Sequence, residues 1–413
     1  LHDSLKLLVV TGEASGDLIA ADALTRLSKG VPNLSIAGIG GDRLRASGMD
    51  CWYSSQELAV RGYVEALSKL PRILSVRRQL IARAAEFKPQ VFLGVDAPDF
   101  NLGVEAKVRS TSVRTVHLIS PSIWAWRPER IRRIRQAVDH MLCVFPFEPE
   151  IYRGSGVTAT YVGHPIADLI PVEPNQQAAR AVLGLQSESR PVVAVLPGSR
   201  LGEIRHNGDA FLGAALFLSK YCKVIIPAAS EPVAKMIRAL AHFDSVAAKG
   251  VELLVEPPAG VSEESTAATS QLNSTIGAAD LRPPLSHTVL AACDIALVAS
   301  GTATLETALF KRPMVIGYRV PGFTYWLMKR KALIQDIGLP NILLGSRVAP
   351  EFIQDECTAP VLASEILKLL DQPQRMAEMT ERFSELHRSL RQGAAQRISD
   401  CLLQELHHAH RGG

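Results

Sequence analysis

The 413-residue chain has no CxxC pair; its six cysteines, Cys51, Cys143, Cys222, Cys293, Cys357 and Cys401, are scattered. That spacing argues against a zinc site and against a disulfide framework. Three of the six stand in apolar runs, so reduced, buried thiols in a cytosolic protein are expected. No run approaches the roughly 18 apolar residues of a membrane-spanning helix. The first strand-like run begins at Leu5, so no signal peptide is expected. Neither sign of charge dominates. The 45 Lys and Arg against 41 Asp and Glu leave a net +4, far from a dedicated nucleic-acid binder. Gly38-Ile39-Gly40-Gly41 lacks the GxGxxG spacing, since position 43 is Arg, and reads as a turn.

What is present is ordinary globular material, 47% apolar and 21% charged, and long enough for two domains. Short apolar runs alternate with helical patterns. One set of strands is expected at Leu5–Thr11, Leu34–Ile39, Val91–Asp96, Val113–Ile119, Met141–Phe145 and Thr160–Val162, and a second at Val192–Leu196, Lys223–Pro227, Glu252–Val255, Asp294–Ala299 and Met314–Gly317. Alternation of this kind predicts an α/β fold: two Rossmann-like, doubly wound parallel sheets facing a cleft, with a C-terminal helical segment. The expected division is 1–168 for the first domain, a Pro-, Gln- and Ser-rich linker over 169–190, the second domain over 191–372, and a helical segment over 373–413 that packs back across the domains. Residues 259–284, rich in Ser, Thr, Ala and Gly, are expected to form a disordered loop.

Chemistry concentrates where strands hand over to helices. Val298–Thr307 runs from a buried strand through Ser300 and Gly301 into a helix. Ser300 can cap that helix, and Gly301 lets a ligand approach the backbone. The free N–H groups of Gly301, Thr302, Ala303 and Thr304 suit a diphosphate, and Glu306 could accept ribose hydroxyls. An ordinary capped helix with a solvated Glu is the plainer account. Leu196-Pro197-Gly198-Ser199-Arg200 is the matching turn after the first strand of the second domain, and Arg200 could pair with phosphate as a leaving group gains charge. Neither turn matches the Walker pattern GxxxxGK(S/T), which disfavours P-loop chemistry. In the first domain, Thr11-Gly12-Glu13-Ala14-Ser15-Gly16-Asp17 makes a similar passage. Ser15 or Asp17 would cap the helix, while Glu13 has less structural reason to be there. In Gly94-Val95-Asp96-Ala97-Pro98-Asp99-Phe100-Asn101 a buried strand meets two acids. Pro98 is expected to keep the chain out of the helix until Phe100, placing Asp99 in the N-cap region, with Asp96 holding the loop by hydrogen bonds.

Basic and apolar residues mix in three places: 61–83, where Pro71 is expected to divide a short piece from a helix; Trp124–Arg135; and 323–331. Each packs by default on its own domain; together they make interfacial membrane contact a reasonable expectation.

These stretches resemble the lipid-A-disaccharide synthase family of inverting glycosyltransferases, which has the GT-B architecture. GEASGD (Gly12–Asp17), GVDAPDFN (Gly94–Asn101), SPSIWAWRPERI (Ser120–Ile131), FPFE (Phe145–Glu148), GHP (Gly163–Pro165), LPGSRLGEI (Leu196–Ile204), SGTATLE (Ser300–Glu306) and LPNILL (Leu339–Leu344) carry the likeness, in family order over nearly the whole chain. The resemblance implies transfer of a sugar from UDP-2,3-diacylglucosamine to the 6-hydroxyl of 2,3-diacylglucosamine 1-phosphate, giving a β-1,6 disaccharide and UDP. It implies no cofactor and no essential metal, peripheral attachment to the cytoplasmic face of the inner membrane, and a homodimer among the assemblies to be tested. It assigns catalysis to Asp99 as proton acceptor and to Arg200. Substrate contact is expected from Glu13, Ser15, Asp96, Ser199, Ser300, Gly301, Thr302, Ala303, Thr304, Glu306 and Asn341. Another UDP-sugar enzyme of this architecture, such as an N-acetylglucosaminyl transferase or a 2-epimerase, is the nearest alternative. A non-catalytic nucleotide-binding regulator is the alternative from a different class.

Overall fold

A strand whose every side chain is buried belongs inside a parallel sheet covered on both faces. Val91–Val95 (β4) and Ile295–Ala299 (β11) are two such strands, and each lies mid-sheet in the computed structural model. The structure describes residues 5–12, 14–58, 63–257, 284–322, 325–326, 330 and 333–411. The expected loop at 259–284 therefore lies almost wholly outside the described residues.

The chain divides into two units, one of residues 1–168 with 389–413, the other of residues 169–388. In the first, β1 (Leu5–Thr11), β2 (Leu34–Gly40), β3 (Asp50–Ser54), β4, β5 (Arg114–Leu118), β6 (His140–Cys143) and β7 (Thr158–Tyr161) form one parallel sheet, ordered β3-β2-β1-β4-β5-β6-β7. Strand order reverses between β1 and β4, which pair directly from Leu7↔Val91 to Thr11↔Val95. One face is covered by the Tyr63–Phe87 and Pro98–Arg109 helices, whose Val76, Leu80, Phe100, Val104 and Val108 pack on Leu8, Val10 and Phe92. The C-terminal Ala394–Arg411 helix is fastened to this unit by Glu405, which takes hydrogen bonds from Arg114 (2.5 Å) and His140 (2.8 Å).

The second unit holds β8 (Val192–Leu196), β9 (Lys223–Ala228), β10 (Glu252–Val255), β11, β12 (Met314–Tyr318) and β13 (Glu351–Ile353), all parallel in the order β10-β9-β8-β11-β12-β13. Here the reversal falls between β8 and β11, paired from Ile295↔Val193 to Val298↔Leu196.

Four expectations change. Residues 169–190 are not a bare linker: the Gln176–Val182 helix is tied into the second unit by Arg180, which grips Asp294 at 2.9 and 2.8 Å. Pro71 does not divide the 61–83 segment but sits inside the single Tyr63–Phe87 helix, where burial of Val76 and Leu80 outweighs one lost hydrogen bond. Gly38 and Gly40 belong to β2, whose pairing with β3 shifts between Gly38 and Ile39; a Cβ at Gly38 would meet the Val9 carbonyl oxygen at 2.1 Å. The strands β3 and β13 were absent from the sequence pattern. Both are short edge strands with largely half-buried side chains, so neither shows the apolar run that marks the inner ones. All six cysteines are free, and Cys143, Cys222, Cys293 and Cys357 are buried. No helix among the described residues is long and apolar enough to cross a membrane.

Candidate active site

In open α/β sheets ligands bind outside the carboxyl ends of the strands, where strand order reverses. In the first unit those ends are the β1 exit at Gly12 and the β4 exit at Asp96. The chain leaves β4 through two consecutive left-handed residues, Asp96 (φ 51°) and Ala97 (φ 44°). Neither is glycine, so the turn is strained. The Asp96 main chain secures it: its N–H donates to Leu118 (2.9 Å) and its carbonyl accepts from the Asn101 amide (2.7 Å). The expected loop-holding role of Asp96 is thus carried by backbone atoms. The charge of its carboxylate acts on the buried Glu105–His117 pair (2.7 Å). Burial alone would lower the His117 pKa, but the charge and hydrogen bond of Glu105, with the charge of Asp96, raise it.

The helix starts at Pro98, not at Phe100, because proline at the first helical position lacks only an N–H that has no acceptor there. Asp99 follows in the first turn. Its side chain is 77% exposed and meets Arg130 at 3.0 Å. The β1 exit lies against this turn: a Cβ on Gly12 would come within 2.3 Å of the Ala97 Cβ. Asp17 does not cap its own helix. It reaches across to accept from the N–H groups of Gly41 (2.6 Å) and Arg43 (3.1 Å), at the start of the Asp42–Ala46 helix. Glu13 and the Ser15 side chain lie outside the described residues.

The β5 and β6 exits carry a second strained point and a buried acid. Ile119, β-branched, sits at φ 76°. Glu148, 1% exposed, accepts from the N–H groups of Val144 (3.1 Å) and Phe145 (3.0 Å). Burial pushes its pKa up to about 7, although the Phe145 and Val144 N–H groups and the nearby Trp124 and Ser120 side chains oppose that. Around it Trp124 meets Phe147 edge-on, and Phe145 stacks between Phe147 and His164.

In the second unit the reversal lies between two glycine turns, and the structure separates them. At the β8 exit Glu203 turns back so that its Oε2 accepts from the N–H groups of Ser199 (2.8 Å) and Arg200 (3.2 Å). The N–H groups of the turn that leads into the Leu201–Leu218 helix are therefore already taken by a carboxylate of the chain itself. At the β11 exit Gly301 stands at φ 147°, no side chain caps the Thr302–Leu309 helix, and a Cβ on Gly301 would meet nothing within 4 Å. That open N-terminus offers uncapped N–H groups and the positive end of the helix dipole. Ser300 is not its cap; its hydroxyl donates to the Ile337 carbonyl (2.9 Å). Thr304 is buried, its hydroxyl donating to Gly301 (2.8 Å). Glu306 is paired with His287 at 3.3 Å. Ser199 and Arg200 are exposed.

Asn341 changes role. It is fully buried and its amide is used up: Nδ2 donates to Ala349 and Glu351 (both 2.8 Å), and Oδ1 accepts from the N–H groups of Val348 and Ala349 (both 2.9 Å). No hydrogen-bonding position remains for a substrate, so Asn341 braces the loop beside Ser300. Asn207 does similar work unseen in the sequence, joining Pro197 (3.2 Å) to the Arg319 N–H (2.8 Å). Glu203 could have been found from its spacing alone, since it stands where a capping box places an acid. Among the described residues no group of three His, Cys, Asp or Glu is placed to hold a metal ion.

Two parallel α/β units of this strand order define a GT-B fold, and solved structures agree. The UDP-GlcNAc 2-epimerase from Neisseria meningitidis bound to UDP-GlcNAc superposes with a TM-score of 0.63 at 13% identity, covering 97% of this chain and 100% of that one. Sucrose-phosphate synthase from Thermosynechococcus elongatus does so at 0.58 and 12%, covering 99% and 100%. These likenesses establish the fold alone. Residues 7–255 and 271–406 match the family model of lipid-A-disaccharide synthetase. The lipid-A-disaccharide synthase of Thiobacillus denitrificans (strain ATCC 25259 / T1) is 46% identical over 397 residues, spanning 95% of this chain and 98% of that protein. That of Albidiferax ferrireducens (strain ATCC BAA-621 / DSM 15236 / T118) is 42% identical over 411 residues, spanning 98% of each. The chain belongs to the lipid-A-disaccharide synthase family: it is a glycosyltransferase of lipid A biosynthesis.

Proposed function

We propose that the chain transfers 2,3-diacylglucosamine from UDP-2,3-diacylglucosamine to the 6-hydroxyl of 2,3-diacylglucosamine 1-phosphate, with inversion, releasing UDP. The observation that carries the donor assignment is the uncapped helix start at Gly301, beside a β8 turn whose own N–H groups are taken by Glu203. A diphosphate placed there meets Gly301, Thr302 and Ala303 backbone, with Ser199 and Arg200 beside it; Glu306 supports the ribose with His287 as its partner. Negative charge growing on the departing UDP is stabilised by the helix dipole and Arg200.

On the acceptor side Asp99 is the proton acceptor. A sugar hydroxyl attacks well only if its proton leaves as the bond forms, and Asp99 is a solvent-facing carboxylate at the mouth of the β4 exit. Arg130, its ion-pair partner in the structure, must yield as the hydroxyl takes its place. Peripheral attachment to the cytoplasmic face of the inner membrane belongs to the same reading. It is supported by exposed Leu70, Trp326 and Leu333 and by Arg330 lying 4.6 Å over the Trp326 ring.

The test is an assay with both diacylated substrates, following UDP and disaccharide. Asp99→Asn is expected to lose roughly 10²- to 10⁴-fold in turnover while binding UDP normally. Full activity in that variant removes Asp99 from the role.

A further inference from the structure

Asn101 lies two residues beyond Asp99 on the same helix and is completely buried. Its Nδ2 points at three carbonyl oxygens: Asp96 at 2.7 Å, and Val10 and Val95 at 3.4 Å each. Val10 is in β1 and Val95 ends β4, so one amide joins both strands at the reversal point to the turn that leaves it. The backbone completes the knot, since the N–H groups of Phe100 and Asn101 both donate to the Ala97 carbonyl at 3.0 Å.

This arrangement carries a polar cost. The Asn101 Oδ1 is buried with no hydrogen-bond partner among the described residues, as are the Glu105 Oε2 and His117 Nε2 beside it. An apolar side chain of the same size would remove that unpaired oxygen but would leave the Asp96 carbonyl without the Asn101 donor. The strand beneath makes room for the group: a Cβ on Gly94 would meet Glu105 Oε1 at 2.2 Å and the Asn101 Cβ at 3.2 Å. The helix thus sits low on the sheet, and Asn101 on its buried face reaches the turn that precedes Asp99, while Glu105 pairs with His117.

We infer that Asn101 is a positioning residue for the transfer reaction: by gripping the Asp96 carbonyl and the ends of β1 and β4, it fixes the strained Asp96–Ala97 turn and so the direction in which Asp99 projects. This rests on the reading of Asp99 as proton acceptor. Loss of the grip lets the turn relax, and a small displacement of a base costs rate without costing substrate affinity.

The experiment uses the full chain with Asn101→Ala, Asn101→Ser, Asp99→Asn and the double variant Asp99→Asn with Asn101→Ala. Turnover of the diacylated substrates and UDP affinity are measured on folded protein. Asn101→Ala is expected to lower kcat by roughly 10- to 100-fold, with acceptor KM and UDP Kd within about twofold of the parent. Asn101→Ser, which keeps one donor, falls between. The double variant is expected to be no slower than Asp99→Asn alone, because a positioning residue has nothing left to position. If the alanine variant does not fold, the serine variant carries the same kcat-against-KM comparison. Unchanged kcat, a loss confined to KM, or losses that multiply in the double variant overturn the inference. An Asp99→Asn chain at full rate overturns the base assignment instead, which distinguishes the two failures.

Discussion

Glu148→Gln tests whether the buried acid at the β6 exit is a source of pH-dependent stability. The carboxyl is almost wholly buried, and burial raises its pKa from an ordinary 4.5 to about 7 in the folded chain. Below pH 4.5 both folded and unfolded chains hold the proton. As pH rises the unfolded chain releases it first, while the folded chain keeps it until about pH 7. Stability from this group is therefore complete below pH 4.5 and is lost as pH rises through 7. The difference corresponds to about 3 kcal/mol at most, at about 1.4 kcal/mol per pH unit. Glutamine keeps the shape and an oxygen for the Val144 and Phe145 N–H groups but cannot ionise. Urea unfolding at pH 5 and pH 8, followed by circular dichroism, isolates the effect as the difference between the two proteins. The parent is expected to lose about 2.5 kcal/mol more than Glu148→Gln between those pH values, the rest of the loss falling below pH 5. A difference below about 0.5 kcal/mol would refute the argument that burial dominates this carboxyl.

Three further outcomes follow from the site. Arg200→Ala is expected to weaken UDP binding by about 1.5–3 kcal/mol and to lower turnover, read by calorimetry and by rate; unchanged kinetics remove it from the site. Asn341→Ala is expected to lower unfolding stability by about 2–4 kcal/mol, since it takes the acceptor from the Val348 and Ala349 N–H groups and the side-chain donor from the Ala349 carbonyl; a loss of UDP affinity with unaltered melting would restore it to the substrate. Neutralising Arg72, Arg77 and Arg78 together is expected to release the chain from anionic vesicles, at about 1 kcal/mol per charge near the surface. Arg72 should count least because Glu57 already pairs with it at 2.6 Å, and sedimentation unaffected by the triple change speaks against the Tyr63–Phe87 helix as a membrane contact.

The inner strands were legible because burial on both faces demands uninterrupted apolar residues: Val91–Val95 and Ile295–Ala299 announce themselves. The turns at 12–17, 94–101, 196–200 and 300–306 were legible too, because glycine and proline at a strand exit narrow what the backbone can do. Edge strands such as Asp50–Ser54 were not, since a half-buried strand needs no apolar run to mark it.

Which of these residues meets a substrate is a different kind of fact. By itself the sequence determined two parallel α/β units, the motifs at their strand exits and the family, all of which depend on local pattern and order along the chain. Only the tertiary structure decided that Glu203 takes the N–H groups of the turn ahead of one helix while Gly301 leaves the other helix start uncapped, that Asp17 serves the Asp42–Ala46 helix, and that Asn341 is spent on its own loop. The physical reason is that a polar side chain takes whichever partners folding brings within about 3 Å, and those partners can come from anywhere in the chain.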